Sequence, residues 1–165
     1  MRRTDPSQAA LREWSSIPRR IRSAVSGLTP KQLDRRGGSE DWSIREYVHH
    51  LVEANLIASN IVIAALGRNG GAYDWSWVTP DAGWMRRLGY DAAPIEPALE
   101  LHERLCAHVT SILRTAPASM NRVVKLLDAP GAKPRRTTVR QMLEEECEHA
   151  GHHLRDVKQT RKASR

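Results

Sequence analysis

His149 and His153 stand at i and i+4 in a segment whose apolar residues recur with helical spacing, so two imidazoles project from one helix face and can reach a single ion. With residues placed about 100° apart, Val139, Met142, Leu143, Ala150, Leu154 and Val157 gather on one face, and Glu146, His149 and His153 fall inside that stripe. His152, Glu148 and Arg155 fall on the opposite side and are expected in solvent. The same wheel on the segment from Ser43 to about Leu66 turns Ile44, Tyr47, Val48, Leu51, Asn55 and Ala58 inward. It puts His50 at the shoulder of that face and His49 toward solvent, which makes His50 the candidate third ligand.

Three histidines would hold a divalent transition metal, with zinc or nickel the expected ions, and would leave coordination positions open for water or substrate. That arrangement suits catalysis better than structural support. Glu146, one turn before His149, is the candidate catalytic residue: it could orient a ligand or take a proton from metal-bound water. A salt bridge to one of the many arginines would explain it equally well. His102 and His108 are expected near the core face of a third helix, where they could support the ligands, touch substrate or simply pack. Any one histidine alone could be a buried side chain with a satisfied hydrogen bond; the HxxxH pair within an apolar stripe is what raises a metal site.

The elements that must carry these residues are helices. Leu11, Trp14, Ile17, Ile21, Val25 and Leu28 predict a first helix, with a kink or a fresh start expected at Pro18. Thr29 to Gln32 reads as a short capped turn, and Ser43 with Glu46 forms a capping box that starts a second helix running to about Leu66. Gly67, Gly70 and Gly71 stop it. A long connection from 68 to 94 follows, holding Tyr73, Trp75, Trp77, Trp84 and Tyr90, with short helical turns allowed. Pro94 and Pro97 open a third helix that ends near Thr115, and Thr138 with Gln141 caps a last helix reaching about Gln159. No strand alternation stands out, so the expected fold is all-α: a four-helix bundle with a long Trp-rich connection between its second and third helices. The second half of the second helix is apolar nearly all round, at Leu56, Ile57, Ile61, Val62 and Ile63. A second copy of the chain or the Trp-rich connection is expected to cover it.

The chain has 165 residues, enough for one domain over 1–165, with a basic tail from about 158 to 165 expected to be disordered. Two cysteines, Cys106 and Cys147, have neither CxxC nor zinc-knuckle spacing, which argues against a disulfide framework and suits a cytoplasmic location. The N-terminus lacks an apolar run behind its basic residues, and the most apolar stretch is interrupted by Glu53, Asn55, Ser59 and Asn60, so neither a signal peptide nor a membrane span is expected. The net charge of +7 concentrates at the ends, in Arg2, Arg3, Arg155, Lys158, Arg161, Lys162 and Arg165. Those tails could steer the chain to polyanions, but no RNP, zinc-finger or RGG pattern supports a nucleic-acid partner.

Trp42-Ser43-Ile44-Arg45-Glu46 followed by His50-Leu51, together with Glu148-His149 and His152-His153-Leu154-Arg155, resembles the DinB superfamily of bundle proteins over about Leu28 to Val157. The resemblance implies a four-helix bundle, frequent homodimers, and one divalent ion held by His50, His149 and His153. It also implies chemistry like that of thiol-dependent S-transferases and a mycothiol-dependent isomerase. The function expected is a metal-dependent transferase or hydrolase that activates water or a low-molecular-weight thiol toward a small electrophile, with a basic pocket for an anionic thiol. The competing expectation is a non-catalytic dimeric module that binds a metal or a small molecule.

Overall fold

Asp5 starts the first helix by accepting a hydrogen bond from the Ser7 amide at 2.9 Å, with Pro6 at the position where a missing N–H costs nothing. In this computed structural model, which describes residues 5–163, helix α1 then runs through Pro6–Val25. It passes Pro18 as one element, so of the kink or fresh start expected there the fresh start does not occur. A proline inside a helix costs about 3 kcal/mol. Trp14, Ile17 and Ile21 are each at most 1% exposed on the inward face, and full burial of such side chains contributes about 1.5–3 kcal/mol apiece, so packing outweighs the break.

Thr29 and Gln32 cap the short helix α2 (Pro30–Leu33) as expected. A two-residue antiparallel pair follows, β1 (Arg36–Gly37) with β2 (Trp42–Ser43). Ser43 then opens helix α3 (Ile44–Gly67) through a reciprocal capping box: its hydroxyl accepts from the Glu46 amide at 3.1 Å, and its own amide donates to Glu46 Oε2 at 2.7 Å. Beyond it come β3 (Gly71–Asp74), α4 (Ala82–Arg87), α5 (Ile95–Thr115), a 3₁₀ turn over Pro117–Asn121, β4 (Val123–Leu127), β5 (Arg135–Thr138) and α6 (Val139–Lys162). α6 carries the expected Thr138–Gln141 capping box.

The four long helices make the bundle: α1 packs on α5 and α6, and α3 packs on the same two. Trp14, Tyr47, Leu51, Leu113 and Leu143, all at most 1% exposed, fill its interior. By length and composition α3 could cross a membrane, yet here it is one of the four bundle helices, packed on α5 and α6 with half of its most apolar stretch buried.

The expectation of no strands needs correcting. β3 lies parallel to β4, with Gly71 opposite Val124, and β4 pairs antiparallel with β5, with Val123 opposite Thr138. Val124 and Leu126 are fully buried and Lys125 between them is exposed, a period of two too short to stand out by itself. The strands are set by pairing between distant segments, which also ties part of the Trp-rich connection to the bundle. The last helix reaches Lys162, so the tail expected to be disordered from about 158 is helical that far; Arg2, Arg3 and Arg165 lie outside the described residues.

Two expectations on histidines also fail. His49 is buried, stacked at 4.8 Å on Tyr90 and 3.2 Å from the Ala93 carbonyl oxygen, because the connection covers a helix face that a wheel alone leaves open. His108 is exposed, whereas His102 on the same helix is 1% exposed with no hydrogen-bond partner on either ring nitrogen. Burial pushes the His102 pKa down from 6.5 to about 4. The unfolded chain therefore binds this proton near pH 6.5 and the folded chain only near pH 4, so folding stability is lost as pH falls through that window. We expect the denaturant midpoint to drop over that range and His102→Leu to flatten the dependence; an unchanged slope in the variant would overturn the assignment.

Candidate metal centre

α3 and α6 pack face to face, and their contact brings His50, His149 and His153 to one point. His50 Nε2 and His149 Nε2 are 3.1 Å apart. The ring centroids of His50 and His149 are 5.1 Å apart, those of His50 and His153 5.0 Å, and those of His149 and His153 4.7 Å. The three rings meet at interplanar angles of 80°, 87° and 88°, so they form a tripod of nearly perpendicular imidazoles. Two nitrogens on one tetrahedral zinc, each about 2.0–2.1 Å away, are about 3.3 Å apart. The donor set therefore fits a divalent ion of that size.

A carboxylate faces the other ring edge of each histidine. Glu53 Oε2 lies 3.9 Å from His50 Nδ1, Glu146 Oε2 3.4 Å from His149 Nδ1, and Asp156 Oδ2 3.5 Å from His153 Nδ1. All three pairs are three residues apart on one helix. A carboxylate hydrogen-bonded there would hold the proton on Nδ1 and turn Nε2 toward the centre, whereas in this structure His50 Nδ1 and His153 Nδ1 are near a carboxylate without a hydrogen bond to it. Burial first, then the charges of His149 and His50, push the His153 pKa down to about 3 against the pull of Asp156, which keeps that ring in its neutral, ligating form.

Asp156 is itself held in place. It accepts hydrogen bonds from the Ser39 hydroxyl at 2.9 Å and the Ser39 amide at 3.3 Å. The turn that delivers Ser39 passes so close that a Cβ on Gly38, at φ +83°, would sit 2.5 Å from Tyr47 Oη and 2.7 Å from Asp156 Cβ, so only glycine fits there. We expect Asp156→Asn to weaken metal binding by about 10–100-fold in competition with a chelator, with little change in fold; affinity equal to the parent protein would show that Asp156 does not position His153.

The tripod sits in a cavity of about 530 Å³. Trp42, Ile57, Ile61, Trp75, Val78 and Met142 supply its apolar walls, and Trp42 stands 4.9 Å from the His50 ring and 5.7 Å from that of His153. Its charged lining is Glu40, Glu53, Asp128, Glu145 and Glu146 against the single Arg135. The expectation of a basic pocket is thus reversed. Arg135 is occupied as well, its Nε donating to Asp128 at 2.8 Å and its terminal nitrogens to Glu145 at 2.8 and 3.1 Å. Glu146 is 5% exposed, and its Oε1 has no hydrogen-bond partner. Among the described residues no arginine forms the salt bridge considered for Glu146; His149 is its neighbour instead.

His152, Glu148 and Arg155 are exposed as expected. His152 also approaches Asp156, at 3.6 Å, and with His153 makes a second grouping of ligand-type atoms on the outer edge of the same centre. The structure brings together the three histidines that the sequence grouped and sets Glu146 beside His149; Glu53, Asp156 and Trp42 were not singled out as site residues. The i±3 spacing that singled out Glu146 beside His149 applies equally to the other two carboxylates. Both cysteines are free and buried, and burial pushes each thiol up to about 12, so neither supplies a thiolate near neutral pH.

Comparison with known proteins agrees with this architecture. The DinB superfamily model matches residues 13–157. A protein of Geobacillus kaustophilus, provisionally named a metal-dependent hydrolase, is 31% identical over 134 residues, 75% of this chain and 71% of its own length. A protein of Oceanobacillus iheyensis with the same provisional name is 29% identical over 119 residues, 70% of this chain and 65% of its own length. The solved structure of YfiT from Bacillus subtilis, described provisionally as a metal-dependent hydrolase with an unusual four-helix bundle topology, superposes with a TM-score of 0.82. It shares 20% sequence identity, with 96% of this chain and 87% of that chain covered, so the fold is common to both.

Proposed function

This chain belongs to the DinB superfamily, and from that premise we propose that it is a metal-dependent hydrolase of a small electrophilic substrate, with a divalent ion, zinc or nickel, held by His50, His149 and His153. The observation that carries the reading is the perpendicular imidazole tripod at a cavity large enough for a small molecule. The ion would supply Lewis acidity and make water a nucleophile near neutral pH. The protein's own part is threefold. The Nδ1-facing carboxylates orient the ligands, the free Oε1 of Glu146 takes up a proton at the centre, and Trp42 with the apolar walls limits access of bulk water.

A low-molecular-weight thiol in place of water would make the same centre an S-transferase, and the cavity has room for one beside a small substrate. Tag-free protein assayed against small esters, amides and alkyl halides, with and without added thiol, separates these readings. Metal-dependent hydrolysis without thiol supports the first, and turnover only with thiol supports the second. Protein that neither contains nor takes up zinc or nickel would leave a non-catalytic binding module. We also assign the chain to the cytoplasm and to a homodimer that covers Leu56 and Ile63, which are 41% and 44% exposed on α3, along with Leu101 on the neighbouring α5. Sedimentation should then show a dimer that Leu56→Glu with Ile63→Glu splits.

A further inference from the structure

A chain with net charge +7 lines the cavity at its histidine tripod with carboxylates. Five negative side chains face one positive one there, a balance of minus four, or minus two with a divalent ion in place. The one guanidinium is already paired with Asp128 and Glu145, to which it donates three hydrogen bonds, so an anionic ligand would find no unpaired cationic side chain among the described lining residues. Two indoles are tied to the same acidic rim: Trp75 Nε1 donates to Asp128 at 2.8 Å, and Trp84 Nε1 donates to Glu53 at 2.9 Å. Of the two, Trp75 lines the cavity itself, and an indole ring beside carboxylates suits a cation laid over it. Glu146, which also lines the cavity, is buried and leaves its Oε1 without a hydrogen-bond partner.

We propose that the substrate is an organic cation: an apolar body against Ile57, Ile61 and Met142, and an amine or quaternary ammonium head over Trp75 beside Asp128 and Glu145. This deepens the hydrolase reading, which supplies the reacting end of the molecule at the tripod. The basic outer surface would not hinder such a ligand inside the cavity, because exposed charges beyond about 10 Å are largely screened at 0.1 M salt while those lining a cleft are not.

The test is a binding titration of tag-free, zinc-loaded protein with three probes that share a phenylpropyl body and ligate zinc poorly: a trimethylammonium, an alcohol and a sulfonate. The ammonium should bind about tenfold tighter than the alcohol at low salt, the sulfonate more weakly than either, and added salt should narrow the gap. Asp128→Asn with Glu145→Gln frees Arg135 and should reverse the order of ammonium and sulfonate. Should that variant misfold, Trp75→Leu keeps an apolar wall and should cost the ammonium about threefold or more while leaving the alcohol nearly unchanged. Sulfonate binding as tight as ammonium in the parent protein, no binding of any probe, or equal losses of ammonium and alcohol in Trp75→Leu would overturn the proposal. Ammonium preference without hydrolysis of any substrate would sink the hydrolase reading and leave this one standing. Metal-dependent hydrolysis that runs fastest on anionic esters would do the reverse.

Discussion

Tag-free protein should carry about one divalent transition metal per chain, and His153→Ala should lose it. Loss of an orienting carboxylate costs about 10–100-fold in metal affinity, and loss of a ligand itself must cost more. His50→Ala and His149→Ala should behave alike, because each removes one leg of the same tripod. His152→Ala is the control: its ring is half exposed and lies on the outer edge of Asp156, so metal content should stay near the parent value. His49→Ala should also retain metal but lower stability, since it empties the slot between α3 and Tyr90. Elemental analysis of the five variants checks the metal content, and thermal unfolding the stability of His49→Ala. Equal metal loss from all five would show that the histidines act through the fold and not as ligands.

The tripod was legible because helical phase is a local property. Ser43 with Glu46 and Thr138 with Gln141 fix where α3 and α6 begin, and the apolar stripe then fixes which way His50, His149 and His153 point. His49 was misread because the wheel knows the bundle but not the connection that returns over it: Tyr90 and Ala93 cover that side from more than forty positions away. Six residues along a helix turn by about 240°, so His102 and His108 lie about 120° apart, and α5 turns the first inward and the second to solvent. The strands escaped notice for a different reason. Gly71–Asp74 has little apolar character and becomes a strand only through its pairing with Val124–Leu127.

The sign of the cavity was the least legible property of all. Its charges come from the β1–β2 turn, α3, the end of β4, β5 and α6, and no stretch of sequence holds more than two of them. The basic pocket expected for an anionic thiol thus meets a lining that is acidic once assembled. Total charge reports on the outer surface and its encounters, whereas a cleft takes its potential from the few groups that line it.

Glu146→Gln should separate chemistry from metal binding. The substitution keeps the size and a hydrogen-bond acceptor for His149 Nδ1, so metal content should stay within about tenfold of the parent affinity at most, at the low end of what an altered orienting group costs. Its free oxygen, however, is the only buried carboxylate oxygen without a hydrogen-bond partner among the described residues, and an amide there cannot take up a proton. General base catalysis contributes about 10²–10⁴-fold, so the turnover number should fall by that factor with the Michaelis constant little changed. Glu146→Asp, which retains the base but withdraws it by a methylene, should recover part of the rate. Metal loss in Glu146→Gln with normal turnover of whatever protein remains loaded would make Glu146 a positioning residue like Asp156. The proton would then have to leave by another group, and Glu53, the remaining half-buried carboxylate beside the tripod, is the one the geometry offers.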